Sequence, residues 1–208
     1  MTASDFDIIC VTNWHLCKGD FFERIGKIAS CGVKAIILRE KDLSESEYFD
    51  SAEKFLEICR KSRVKAVLHT YTDAAIGLGA GEIHLPLEAL QKLDNEKKNK
   101  FNKIGVSCHS LEDIILAEKL GAGYVTFGHV FETDCKKNVP PRGVEALKSV
   151  CGKSPLPVYA IGGITDKNID SVRNSGASGA CIMSGFMECE DPENFMHQLI
   201  NLNGGKNA

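Results

Sequence analysis

Short runs of β-branched and other apolar residues alternate along this chain with longer stretches in which apolar residues return every three or four positions. The first pattern suits strands buried on both faces, the second suits helices that cover a sheet, and their alternation describes successive βα units. Eight strand segments are predicted, at 7–12, 33–38, 65–68, 82–85, 103–106, 123–127, 158–161 and 179–183. Between them Phe21, Ile25, Ile28 and Ala29 fall on one helical face, as do Tyr48, Ala52, Phe55, Leu56 and Cys59.

Start and stop signals agree with this periodicity. Ser44 with Glu47 reads as a capping box, and Ser110 and Thr165 stand where helix caps are expected. Gly32, Gly79, Gly121 and Gly176 each end a helical segment just ahead of a strand, where a left-handed residue is wanted. The predicted fold is α/β: a single (β/α)8 TIM-type barrel over residues 1–208, with a doubly wound open sheet as the alternative.

Composition narrows the function. With 208 residues and 43% hydrophobic content the chain can build one sizeable core. The net charge is -3 and no basic tract exceeds Lys97-Lys98, so an electrostatic footprint for nucleic acid is missing. Asp5 and Asp7 interrupt the start, so no signal peptide is read there, and no run reaches transmembrane length. The nine cysteines show no paired metal-type spacing and read as reduced thiols of a cytoplasmic protein.

Candidate chemistry gathers at predicted strand ends. Gly128-His129-Val130-Phe131-Glu132-Thr133-Asp134-Cys135-Lys136-Lys137 follows the sixth strand and crowds an imidazole, hydroxyl, thiol and ammonium groups where folding requires none of them. His129 can exchange a proton near neutral pH, and the lysines can neutralise a bound anion, with Thr133, Cys135 and Lys136 as ligand contacts. Arg39 and Lys41 end the second strand and are predicted to hold an anionic group, and Ser107 faces the mouth after the fifth. Gly162 and Gly163 after strand seven, with Met183, Ser184 and Gly185 after strand eight, are the expected phosphate turns. His69, His84, His109 and His129 fit no standard zinc spacing, so no metal site is predicted.

These landmarks resemble the thiamine phosphate synthase superfamily of small barrels: Leu38-Arg39-Glu40-Lys41, Gly105-Val106-Ser107-Cys108-His109, the 128–137 segment and Ala160-Ile161-Gly162-Gly163-Ile164. The 128–137 segment followed by Pro141-Arg142-Gly143-Val144 is similar to the thiazole tautomerase branch. That resemblance implies a cofactor-free isomerase in thiamine biosynthesis, with His129 as acid and base acting on a phosphorylated thiazole. Lys136 and Arg39 would hold its carboxylate, and Gly163, Ser184 and Gly185 its phosphate. The alternatives are thiamine phosphate synthase, a magnesium-dependent transferase, and a non-catalytic binder of thiazole phosphate. Synthases of the superfamily carry magnesium aspartates after strands three and four, where this chain has Thr70 and Ala89. A homodimer without nucleic-acid or membrane partners is the expected assembly.

Overall fold

A computed structural model describes residues 6–136 and 138–200, leaving out the side chain of Cys135. Eight parallel strands close in chain order into one barrel: β1 (Asp7–Val11), β2 (Ala35–Leu38), β3 (Lys65–His69), β4 (Glu82–Pro86), β5 (Lys103–Cys108), β6 (Tyr124–Gly128), β7 (Val158–Ile161) and β8 (Gly179–Ile182). Closure is made by β8 against β1, with Asp7 opposite Gly179 and Cys10 opposite Ile182, which excludes an open sheet. Only 158–161 is matched at both ends; β1, β3, β4 and β6 shift by one residue, and three further differences bear on the site or its approach. Val33 and Lys34 precede β2, β5 runs on to Cys108, and Met183 leaves β8 to stand before the helix Ser184–Glu188.

The helix faces pack as their periodicity predicts. In Phe21–Ser30 the buried apolar residues are Ile25, Ile28 and Ala29, and in Glu45–Ser62 they are Tyr48, Ala52, Phe55 and Cys59. Each large side chain buried in this way stabilises the fold by about 1.5–3 kcal/mol. Tyr48 does more, because its hydroxyl donates to the Leu38 carbonyl at 2.8 Å and accepts from the His69 amide at 2.9 Å. The helix is thereby tied to the C-terminal ends of β2 and β3, the positions from which Arg39 and His69 project.

The Ser44–Glu47 capping box is present, and Ser110 forms a second one with Asp113. Thr165 caps the turn that leads into the helix Ile169–Arg173, not the helix itself, whose N-cap is Asn168: the Thr165 hydroxyl accepts from the Lys167 amide at 3.3 Å, and its amide donates to the Asn168 side chain at 2.8 Å. Gly32, Gly79, Gly121 and Gly176 all hold positive φ, as predicted for the helix ends.

Alternate strand residues point into the lumen. Ile9, Val11, Ala35, Ile37, Val67 and Cys181 form its apolar middle. Below them Tyr124 and Tyr159 meet edge to face at 5.5 Å and fill space that Gly105 and Gly179 leave open. The ion pairs Lys65–Glu82 (2.9 Å) and Lys34–Asp7 (3.5 Å) lie at the N-terminal end of the barrel, around a cavity of about 130 Å³. Among the described residues no helix is long and apolar enough to cross a membrane.

Candidate active site

The C-terminal ends of the strands surround a cavity of about 300 Å³. Arg39, Lys41, Ser107, His129, Thr133 and Lys136 line it, joined by Gly162, Gly163, Met183 and Ser184. Most of the predicted site residues are therefore brought together in one place. Gly185 is not among the lining residues. Its Cα backs onto Phe195, where an added Cβ would lie 2.4 Å from the ring, so packing accounts for this glycine. The side chain of Cys135 and the whole of Lys137 lie outside the described residues.

The alternating charges of Arg39-Glu40-Lys41 resolve into two directions. Arg39 and Lys41 reach the cavity, whereas Glu40 is buried and turned back. Its carboxylate accepts from the Thr12 hydroxyl and from the Trp14 amide at 3.0 Å, and the same Thr12 hydroxyl accepts from the Arg39 amide at 2.9 Å. Burial pushes the Glu40 carboxyl up from its usual range. Burial is likewise the main cause that lowers the Lys41 ammonium, followed by repulsion from Arg39 and then from Lys136. Two loops distant in sequence thus bring three cations to one wall of the mouth.

The turns after β7 and β8 also line the mouth, and Gly163 and Ser184 border a neighbouring cavity together with Lys136. Gly162 and Gly163 both have positive φ, 97° and 68°. The loop after β6 presses against them: a Cβ on Gly162 would lie 2.3 Å from the His129 Cβ, and one on Gly163 would lie 2.3 Å from the Glu132 carbonyl oxygen. The Phe131 amide donates to the Gly162 carbonyl at 3.0 Å, which locks the two loops together. The glycine pair is needed for that close approach.

His129 is buried, and its Nε2 donates to the Val139 carbonyl at 3.0 Å. Two backbone bonds reinforce the attachment, from the Arg142 amide to the His129 carbonyl (2.9 Å) and from the Gly143 amide to the Val130 carbonyl (3.1 Å). At the strand end, His109 Nδ1 and Arg142 Nε both donate to the Gly128 carbonyl, at 2.9 and 3.1 Å. The histidine expected to act as a free proton shuttle is thus also a fastener of the loop that carries Lys136.

Sequence reasoning missed the floor of the cavity. His69 and His84 stack there with ring centroids 5.9 Å apart and planes inclined by 17°. His84 is held on both sides, Nε2 against the Ser107 hydroxyl at 2.9 Å and Nδ1 against the Tyr124 hydroxyl at 3.2 Å. Burial lowers His84 to about 4 and His69 well below its ordinary value, so both rings are neutral at pH 7. The available signal was the two-residue period, which turns His69, His84, Ser107 and Thr126 to the same lumen.

The magnesium positions of the resemblance do not fit a hard cation. Thr70 offers a hydroxyl at the end of β3, and Ala89 packs against the core from the helix Leu87–Lys92. Glu88 on that helix is exposed and away from the cavity, and no Asp or Glu is among the lining residues. A six-oxygen shell has no carboxylate to build from here.

The family model described as thiamine monophosphate synthase matches residues 8–186 of the chain. A thiamine-phosphate synthase of Fusobacterium nucleatum is 31% identical over 206 residues, covering 96% of this chain and 98% of that protein. Thiamine-phosphate synthase 2 of Streptococcus pneumoniae is 31% identical over 191 residues, covering 88% and 89%. Among solved structures, the thiamine phosphate pyrophosphorylase from Pyrococcus furiosus superposes with a TM-score of 0.80 at 25% identity, covering 95% of each chain. Relatives that share this much of the chain carry the transferase's name, and this overturns the expectation of a thiazole tautomerase.

Proposed function

The chain belongs to the thiamine monophosphate synthase family, and from that premise we propose that it is a transferase joining a pyrimidinylmethyl diphosphate to a thiazole phosphate. The carrying observation is a mouth lined by two kinds of group suited to anions, the cations Arg39, Lys41 and Lys136 and the turns at Gly163 and Ser184. We assign one anion to each set, as two poles of the site. A substrate pair with a diphosphate on one partner and a phosphate ester on the other matches that division of charge.

In this reading the thiazole nitrogen attacks the methylene carbon of the pyrimidine partner. A C–N bond forms as the C–O bond to the diphosphate breaks, and the electron pair leaves with the diphosphate. Positive groups already in place where that charge develops lower the barrier, because no reorganisation is needed during the step. Arg39 and Lys41 stand on a strand end fixed by Glu40 and Tyr48, and Lys136 on a loop fastened through His129. The turns at Gly163 and Ser184 hold the thiazole phosphate by backbone N–H groups, and Thr133 and Ser107 line the space between the poles.

The test is formation of thiamine phosphate from the two substrates, followed chromatographically with the release of pyrophosphate. Turnover is expected in the wild type and a loss of at least 100-fold in kcat/KM for Arg39→Ala. Absence of product with both substrates saturating contradicts the proposal.

A further inference from the structure

The ground between β3 and β4 is occupied by a completed neutral network. Thr70 holds φ at 77°, a left-handed conformation that is rare for a β-branched residue. Two bonds retain it there, from its amide to the His84 carbonyl at 3.2 Å and between its hydroxyl and His69 Nδ1 at 2.7 Å. His69 in turn stacks on His84, whose two nitrogens face the Ser107 and Tyr124 hydroxyls. No buried side-chain nitrogen or oxygen among the described residues lacks a partner, so no idle donor set awaits an ion in this floor. No group of three or more His, Cys, Asp or Glu among the described residues could hold a metal ion either.

The wall above that floor carries three cations, Arg39, Lys41 and Lys136. Among the described residues no carboxylate forms an ion pair with Arg39, Lys41 or Lys136. Asp42, the acid whose charge acts on Lys41, has its carboxylate 3.0 Å from His15 Nε2. Glu40 is buried against Thr12 and Trp14. A divalent cation entering this mouth meets the neutral His69 ring, three like charges and no lining carboxylate, whereas a polyanion meets the charge it needs.

We propose that this site binds its diphosphate ligand without a divalent cation, with Arg39, Lys41 and Lys136 supplying the neutralising charge and the His69–His84 stack forming an uncharged floor. The ligand class rests on the transferase reading above, while the independence from metal rests on the lining residues alone. His69 then acts as a specificity residue that offers a flat neutral surface to a heteroaromatic ring.

Calorimetric titration of the full chain with inorganic pyrophosphate, first in EDTA and then with excess Mg²⁺, tests the proposal. Binding in EDTA is expected, with no strengthening by Mg²⁺ and a loss of at least ten-fold for Lys41→Ala in both conditions. Binding that appears only with Mg²⁺, that Mg²⁺ strengthens ten-fold or more, or that is absent throughout overturns it. The transferase reading fails separately: pyrophosphate bound in EDTA with no thiamine phosphate formed removes that reading and leaves metal-free binding standing. Product formation that requires Mg²⁺ keeps the reading and removes the metal-free site.

Discussion

Two residues at the cavity floor carry costs that can be measured. Thr70 stands in a left-handed conformation at φ 77°, where asparagine is several-fold better tolerated and its amide can still face His69 Nδ1. Thr70→Asn is therefore expected to raise stability by about 0.5–1 kcal/mol in urea denaturation. A loss instead means that the hydroxyl bond to His69 outweighs the backbone cost. His84 is held neutral by burial, with its pKa lowered to about 4, against about 6.5 in an unfolded chain. Between those values the unfolded chain binds the extra proton, so the contribution is complete above pH 6.5 and is lost as pH falls toward 4. That amounts to about 3 kcal/mol, with His69 adding in the same direction. Glu40, whose carboxyl is raised by burial, acts in the opposite sense, so the diagnostic is the difference between wild type and His84→Gln. The variant is expected to show a shallower loss of stability between pH 6.5 and 4.5, and equal slopes contradict the assignment.

At the scale of elements, the loop after β6 decides where Lys136 stands. It is fastened by His129 Nε2 to the Val139 carbonyl and by Arg142 to the Gly128 carbonyl. A glutamine amide reaches about as far as Nε2 of histidine, while alanine reaches nothing. His129→Ala is expected to weaken pyrophosphate binding five- to ten-fold with little change in Tm, and His129→Gln to restore most of it. Equal weakening in both variants shows that the imidazole contacts the ligand by something other than this bond. The polar crowding of 128–137 was readable in the sequence, and the structure brings His129, Thr133 and Lys136 from it to the cavity while giving His129 a structural use as well. Its internal bonding was not readable, since a histidine pairing with a carbonyl ten residues on leaves no periodic trace. The same limit applies to Glu40, whose direction depends on Thr12 and Trp14 from another loop.

For the whole molecule, the eight apolar runs and their spacing were enough to read successive βα units, because buried parallel strands and covering helices have different periods, and the glycine turns after strands seven and eight favoured a closed barrel over an open sheet. Strand ends were read less well: Met183 is apolar like β8 yet already belongs to the following turn. What alternation could not show is how lumen residues from different strands fit one another. Gly105 illustrates this, since an added Cβ would lie 2.1 Å from Cζ of Tyr124, whose hydroxyl is fixed by His84. Gly105→Ala is expected to destabilise the barrel by about 2–3 kcal/mol in thermal or urea unfolding, and a neutral effect contradicts this packing. The same fit between strands fills the lower lumen, and the mouth at the other end is lined by three cations and two glycine-bearing turns, which the account assigns to different anions. A crystal structure with thiazole phosphate and pyrophosphate bound together tests that division of charge most directly. Pyrophosphate is predicted against Arg39, Lys41 and Lys136, with the phosphate ester at Gly163 and Ser184. Both anions at one pole, or either of them outside the mouth, contradicts the account.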